Sequence, residues 1–358
     1  MKAALIGLGQ AGGRVAEAIR DADHEAGYDA VRGVLAVNTA RSDLQGLDVE
    51  TMLIGEDRVS GHGVGADNEL GASIMQADVG EVLTGLDGIV HPETEAILLI
   101  AGLGGGTGSG GMPVLAKELR RLYDKPVYGL GILPGRDEGA IYQKNAGQSL
   151  QTVARETDSV ILLENDAWRQ TGESVAESFA AINERIAQRL ILLLAAGEAV
   201  EGVGESVVDS SEVLNTLRPG QMAAIGYAAA DASPDPGENV NVITSTARRA
   251  LLTDMSIPET TTAEAALVIV AGDPERLSRK GVEKARKWVE SETGSMEVRG
   301  GDFPVPGERI AVIVLLSGIA GSPRLESFMD RAIEAAEDVD TGPERKTAFE
   351  TDELDDLF

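Results

Sequence analysis

The sequence contains the run Gly104-Gly105-Gly106-Thr107-Gly108-Ser109-Gly110 between an apolar strand-like segment, residues 95–102, and a helix-like segment, residues 113–122. Glycines let backbone N–H groups approach an anion closely, at φ values that other residues avoid. The N-terminus of the following helix adds unpaired donors and a favourable dipole. The hydroxyls of Thr107 and Ser109 can add hydrogen bonds. The run therefore predicts a loop that wraps a phosphate, with a flexible surface turn as the alternative.

Two well-known loops do not fit this run. A Walker A loop ends in Gly-Lys-Ser/Thr, whereas Ser109 is followed here by Gly110, Gly111 and Met112, so no lysine reaches the phosphates. The nucleophile elbow Gly-x-Ser-x-Gly also fails, because Thr107 stands at the place of its first glycine.

A second glycine-rich segment, residues 7–14, follows the short apolar strand of residues 3–6 and satisfies Gly-x-Gly-x-x-Gly. That fingerprint makes an NAD-dependent oxidoreductase the natural alternative. Such an enzyme expects an acidic residue at the end of the second strand to hold the ribose. Here the strand of residues 31–37 ends in Asn38-Thr39, and the next acid is Asp43.

A third glycine-rich turn, residues 61–71, again precedes a helix-like segment. An enzyme that binds a dinucleotide does not need three such loops. An enzyme that binds a nucleoside triphosphate does need them, because the terminal phosphate requires donors from several sides and a water molecule must be placed beside it.

The run at residues 104–110, in this context, resembles the signature loop of the tubulin and FtsZ superfamily of GTPases. Residues 7–14, 36–39 and 61–71 fall in the order of that family's nucleotide loops, and the resemblance extends to about residue 335. It implies an α/β fold: a parallel-sheet GTP-binding domain joined by a long core helix to a smaller α+β domain with a mixed sheet. It also implies GTP or GDP as the ligand, Mg²⁺ carried with the triphosphate, and head-to-tail polymerisation.

The resemblance also assigns the nucleotide contacts. Residues 61–71 and 101–104 are expected to sense or hold the γ-phosphate, and Gln10 to approach the ion or the phosphate oxygens. The loop residues expected to bind the nucleotide are Gly9, Gln10, Ala11, Gly12, Gly13, Arg14, Asn38, Gly65, Ala66, Gly104, Gly105, Gly106, Thr107, Gly108, Ser109 and Gly110, with position 14 near the base. Arg14 departs from the family, which commonly has Asn or Gln there.

Four further residues match the family's sugar and base contacts. Glu138, at the start of a helix-like segment of residues 138–156, matches the ribose-binding glutamate, although an acid there also stabilises a helix dipole. Asn165, Phe179 and Asn183 match the guanine site. Residues 179 and 183 share one face of a helix, so a ring can stack on the purine while an amide reads its edge. Taken alone, a phenylalanine at position 179 is more typical of a core residue, and only its place one helical turn before Asn183 favours the guanine site.

The same family takes its water-positioning acids from the next subunit of the filament, on a loop after the core helix. The matching residues are Asp209 and Glu212, with Glu212 expected to be the more important. The pair also forms a good N-terminal capping box. The FtsZ branch has Asn two residues before the first acid, whereas this chain has Val207.

The composition is strongly acidic. With 59 acidic and 31 basic residues the formal charge is −28, and 23 of the basic residues are Arg. Salt screens such self-repulsion, which predicts a high-salt cytoplasm and, within the family, the archaeal CetZ group. No basic stripe is present for nucleic acid. The chain has no cysteine, and its three histidines show no zinc spacing, so no metal-ligating residues are predicted.

The predicted organisation is a GTP-binding domain over residues 1–173, a central helix over 174–200 and an activation domain over 206–336. Residues 337–358 are expected to form an acidic disordered tail that either solubilises the protein or docks on a partner. No signal peptide or membrane insertion is expected. A role in cell shape and motility is favoured over an FtsZ-type division role, and a non-polymerising GTP-binding regulator is a further alternative.

Overall fold

A computed structural model describes residues 1–168, 175–196, 208–260, 262–319 and 321–341. Ser174, residues 197–207 and residues 342–358 lie outside this part of the chain, as do the predictions made for them, including the one at Val207. Within the described residues, no helix combines the length and apolar character needed to cross a membrane.

Ten strands form one sheet in the described part of the chain. They are β1 (Ala3–Leu8), β2 (Val31–Asn38), β3 (Glu50–Leu53), β4 (Ala96–Gly102), β5 (Val127–Leu133), β6 (Ser159–Glu164), β7 (Met222–Asp231), β8 (Ala265–Gly272), β9 (Glu297–Pro304) and β10 (Arg309–Ser317). Their order across the sheet is β3-β2-β1-β4-β5-β6-β7-β10-β8-β9.

Helices cover both faces of this sheet. They are α1 (Gly9–Ala26), α2 (Arg41–Leu44), α3 (Glu56–Val59), α4 (Asn68–Gly85), α5 (Thr107–Leu122), α6 (Ala140–Glu156), α7 (Val175–Ala195), α8 (Ser210–Leu217), α9 (Asn239–Leu252), α10 (Arg279–Thr293) and α11 (Pro323–Thr341), with a short 3₁₀ helix at Asn165–Ala167. Helices α1, α7 and α8 contribute to the apolar core on one face, and α4, α5, α6, α9, α10 and α11 to the core on the other.

The first six strands are parallel, as the alternation of apolar runs and helical segments predicts. Strand β1 pairs with β2 on one side and with β4 on the other, so the connections leaving β1 and β4 diverge. In an open parallel sheet, this divergence creates a crevice at the carboxyl ends of the two strands. The glycine-rich segments after β1 and β4 therefore meet at one edge.

The second half of the chain forms a mixed sheet that continues the first. Strand β10 pairs antiparallel with β7 and β8, and β8 pairs parallel with β9. Strands β6 and β7 are joined in parallel at two positions, Val160 with Met222 and Ile161 with Ala223. The predicted α/β class with a mixed second sheet is confirmed, but the two sheets are one continuous layer.

Helix α7 lies against this layer and buries the apolar side chains of Ile186, Leu190, Ile191 and Leu194. Other bounds differ from the sequence pattern. Strand β9 was not predicted, because its glycines and charges hide the alternation. Helix α11 packs on the core through Leu325, Phe328, Ala332 and Ala335, and it continues to Thr341, beyond residue 336 where the activation domain was expected to end.

Candidate functional site

A cavity of about 1380 Å³ opens at the carboxyl ends of the parallel strands. It is formed by the segments that follow β1, β2, β4 and β6, together with the start of α7 and the turn before α6. Most of the predicted nucleotide contacts meet on its wall: Gly9, Gln10, Ala11, Arg14, Asn38, Gly65, Ala66, Gly104, Gly105, Gly106, Thr107, Gly108, Glu138, Asn165, Phe179 and Asn183.

Two helices begin at this wall without a cap. Helix α1 starts at Gly9 and α5 at Thr107; neither has a side chain bonded to its first N–H groups, and neither has an acid in its first turn. Helix α4 begins differently, because Asp67 accepts a hydrogen bond from the Leu70 N–H at 2.9 Å. The first turns of α1 and α5 therefore keep donors and a positive dipole end available for an anion.

Four predicted contacts lie off the wall: Gly12, Gly13, Ser109 and Gly110. Their small size serves packing. A Cβ on Gly12 would overlap the Ile100 carbonyl of β4, and one on Gly110 would overlap the Asn68 carbonyl of α4. The Ser109 hydroxyl donates back to the Gly105 carbonyl rather than toward the cavity. The spacing of a glycine motif shows which residues belong to a loop, but not which of them face the ligand.

The threonine of the signature run has a partner that the sequence did not indicate. The Thr107 hydroxyl lies 2.7 Å from the hydroxyl of Thr39, so the start of α5 is joined to the end of β2. The neighbouring Asn38 amide donates to Asp43 at 3.1 Å, and its oxygen accepts from the Thr39 N–H at 2.8 Å. The acid nearest this strand end is therefore engaged by Asn38.

The other end of the cavity is built from side chains. Glu138 does not open α6, which begins at Ala140; it lies in the preceding turn and accepts from the Gly135 N–H at 2.7 Å and from the Asn165 amide at 3.4 Å. Phe179 is 45% exposed, so it is not a core residue, and it lines the cavity with Asn183 one turn later on α7. An aromatic face and two amides thus share this end.

A buried ion pair between Glu164 and Arg324 of α11 supports the turn at Asn165. Glu164, the residue before Asn165, is 2% exposed, and its carboxylate lies 2.6 Å from Nε of Arg324 on α11. Burial and the neighbouring Asp166 raise the pKa of Glu164 to about 7, against the opposing charges of Arg136 and Arg331. A guanidinium at the distance of Arg324 also favours the charged form of the carboxyl group. Asp166 also lies 3.9 Å from Arg324 and accepts from the Arg136 N–H at 2.9 Å.

A cation–π stack holds the same turn against α7. The guanidinium of Arg189 lies 4.5 Å from the ring centre of Trp168 and 5.5 Å from that of Tyr227 on β7. Its Nη1 donates to the Arg185 carbonyl at 2.9 Å. Burial lowers the pKa of Arg189 to about 10, so the group stays charged at neutral pH. Neither this stack nor the Glu164 pair was predicted, because their members are far apart in the sequence.

The predicted acids lie elsewhere on the surface. Asp209 is exposed and caps α8: it accepts from the Glu212 N–H at 3.1 Å and from the Ser211 hydroxyl. The Ser211 hydroxyl bond lowers the pKa of Asp209, while burial raises the pKa of the half-buried Glu212. Neither side chain lines the cavity of its own chain.

Comparison with known proteins agrees with this arrangement. Residues 2–173 match the GTPase domain of the tubulin/FtsZ family, and residues 172–334 match the C-terminal domain of tubulin-like CetZ. Tubulin-like protein CetZ2 of Haloferax volcanii is 60% identical over the whole of both chains. A GTPγS-bound protofilament structure of CetZ2 from that organism superimposes with a TM-score of 0.92, at 60% identity, over 95% of this chain and 100% of that one.

A GDP-bound monomer of CetZ1 from Haloferax volcanii is also similar, with a TM-score of 0.87 and 50% identity over 94% of this chain and all of that chain. The chain therefore belongs to the tubulin/FtsZ family of GTPases. Within that family it is a tubulin-like protein of the CetZ group, and the resemblance inferred from the glycine-rich loops is confirmed.

Proposed function

We propose that this protein binds GTP in the cavity, assembles head to tail and hydrolyses GTP where one subunit meets the next. One observation carries the proposal: the uncapped starts of α1 and α5 share a cavity with Glu138, Asn165, Phe179 and Asn183. The first group suits phosphates and the second suits a ribose and a purine. The oxidoreductase alternative loses its support, because the chain belongs to a GTPase family and Asn38 ends its second strand.

The phosphate end stabilises charge with fixed dipoles. As the bond to the terminal phosphate breaks, charge spreads over the phosphate oxygens, and backbone N–H groups already in position stabilise it without reorganising. Mg²⁺ prefers oxygen ligands, often from phosphates and water. Gln10 lines the cavity and offers an amide oxygen that fits this preference. We propose that Mg²⁺ comes with the triphosphate and that Gln10 lies near it.

The catalytic acids are proposed to act on the neighbouring subunit. Asp209 and Glu212 lie outside their own cavity, on the surface at the start of α8. The lowered pKa of Asp209 keeps it charged, and the raised pKa of Glu212 makes it the better proton acceptor for an attacking water. The relative CetZ2 is known as a protofilament with GTPγS, which supports stacking of this chain as well.

The cellular setting is also a proposal. The acid excess suits a high-salt cytoplasm, where the polymer would control cell shape and motility rather than division. The acidic C-terminal residues are proposed to bind a partner protein, whereas nucleic acid and direct membrane insertion are not proposed.

The first test is GTP turnover and light scattering in molar KCl, measured against protein concentration. Turnover per subunit is expected to rise with concentration. Glu212→Ala is expected to bind GTP normally, to lower turnover about 100-fold and to leave filaments that persist. The matched control is Glu290→Ala, which removes an exposed helical carboxylate on α10 and is expected to keep wild-type turnover.

A mixing experiment separates a shared site from a site within one subunit. Gly105→Asp blocks the cavity of one chain while leaving Asp209 and Glu212 intact. Mixed with Glu212→Ala, it places intact acids against intact cavities, and turnover is expected to recover in part. If the two variants sediment together in filaments and turnover stays at the level of the separate chains, the shared site is wrong.

A further inference from the structure

Asn145 lies behind the cavity wall and bonds to both loops at the phosphate end. It is on α6, is 2% exposed and does not line the cavity. Its amide nitrogen donates to the Ala66 carbonyl at 2.7 Å and to the Gly104 carbonyl at 3.0 Å. These acceptors are far from Asn145 in sequence and belong to different loops. The side chain is therefore a bridge between the loops, and neither amide hydrogen remains for a ligand.

The loops also touch each other directly. A Cβ on Gly106 would overlap the Val64 side chain and would lie 2.9 Å from the Asp67 nitrogen. The peptide between Ala66 and Asp67 is held at both ends, because the Asp67 N–H donates to the Val64 carbonyl at 3.0 Å. Ala66 itself has φ of +66°, in the left-handed region that alanine rarely adopts. The Asn145 bond thus helps to hold a strained turn in place.

Peptide geometry links Asn145 to the cavity. In a planar trans peptide, the C=O and the following N–H point in opposite directions. Because the Gly104 carbonyl is turned back toward Asn145, the Gly105 N–H is turned the other way, toward the cavity that Gly105 lines. That N–H has no acceptor within the described residues. Asn145 therefore orients the Gly105 N–H toward the cavity, although its own amide does not reach the cavity wall.

We infer that Asn145 is a positioning residue for the terminal phosphate: by fixing the Ala66 and Gly104 carbonyls, it aligns the two loops and raises the affinity for a triphosphate over a diphosphate. The inference rests on the proposed function, since it names the residue that sets phosphate discrimination at the proposed GTP site. An amide suits this place because it carries two donors on one nitrogen. A carboxylate of the same shape would face two carbonyl oxygens instead.

The test is the ratio of the dissociation constants for GTP and GDP, measured by equilibrium competition in molar KCl. Asn145→Asp is expected to weaken GTP binding roughly tenfold, the effect of leaving buried carbonyls without donors, while GDP binding stays within about twofold of wild type. Asn145→Ser, which shortens the side chain but keeps one hydroxyl donor, is expected to shift the ratio in the same direction. Thermal unfolding of each variant confirms that the comparison is between folded proteins.

Ser149→Ala is the matched control. Ser149 is also buried on α6, one turn after Asn145, and its hydroxyl donates to the Ser109 carbonyl at 2.8 Å inside α5, where Ser109 does not line the cavity. It is expected to keep the wild-type ratio even if it lowers stability. If the Asn145 variants weaken GTP and GDP equally, or change neither, the inference is wrong while the proposed function stands. If wild type binds neither nucleotide, the proposed function fails.

Discussion

The two ends of the cavity are built by different means. The phosphate end consists of backbone from short glycine-rich loops, and its helices α1 and α5 begin without caps. The base end consists of the side chains of Glu138, Asn165, Phe179 and Asn183, with support from residues distant in the sequence. Truncating side chains should therefore damage the base end, whereas adding groups should damage the phosphate end.

The largest expected effect is a loss of folding stability when the ion pair that supports the base end is broken. Arg324→Ala leaves the Glu164 carboxylate buried without its guanidinium, and breaking such a pair costs about 3–5 kcal/mol of folding free energy. Chemical unfolding in molar KCl measures this loss. Arg121→Ala removes an exposed pair with Glu118 and is the control, with an expected loss below about 1 kcal/mol. An Arg324→Ala loss as small as the control's would contradict this view of the base end.

The pH dependence of Arg324→Ala sharpens the same point. Burial and Asp166 raise the pKa of Glu164 to about 7 against the opposing charges of Arg136 and Arg331, and removing the Arg324 guanidinium is expected to raise this pKa further. A carboxyl group whose pKa is raised on folding favours the folded state below its unfolded pKa, and that advantage is lost as the pH rises through the folded pKa. The stability deficit of the variant should therefore be smallest near pH 5 and should grow toward pH 8. A deficit independent of pH would show that Glu164 is not its source.

The second-largest expected effect is on GTP binding at the phosphate end, where an added side chain is expected to be harmful. A side chain on Gly105 meets no atom within 4 Å, so Gly105→Asp should fold. Its carboxylate would occupy the space of a phosphate and repel it, and GTP binding is expected to weaken about 100-fold. Gly105→Asn has the same shape without the charge and should lose much less. Equal losses in the two variants would mean that bulk, not charge, blocks the cavity.

The smallest effect is the loss of one stacking surface. Phe179 is exposed, so Phe179→Ala should cost little stability, but it removes the ring proposed to cover the purine. Stacking of a base on an aromatic ring contributes about 1–3 kcal/mol, so GTP and GDP should both bind roughly tenfold more weakly. Leu252→Ala, which shortens another exposed apolar residue, is the control. A loss for GTP alone would place Phe179 at the wrong end of the cavity.

The same contrast explains what the sequence could predict. The loops after β1 and β4 were recognisable because each is a short glycine-rich segment between a strand and a helix, and the parallel sheet brings such segments to one edge. The direction that each residue faces was not recognisable: Ser109 looks like a phosphate ligand in the sequence but bonds to the Gly105 carbonyl.

Residues that act from a distance gave no local signal. Asn145 resembles any polar residue of an amphipathic helix, and only the folded chain shows that it meets two loops. Glu164 and Arg324 are separated by 160 positions, so no local pattern could pair them. Strand β9 was missed because Gly300 and Gly301 interrupt its apolar alternation.

The continuous sheet bears on how this protein can be divided or recombined. The GTPase match ends at residue 173, yet β6 on one side of that border pairs with β7 on the other, and Glu164 on one side forms an ion pair with Arg324 on the other. In a chimaera that joined residues 1–173 to the second half of a relative, Glu164 would be buried without an ion-pair partner unless the incoming helix carried a cation at the position of Arg324. The sequence border between the two matched segments is therefore a poor place to cut.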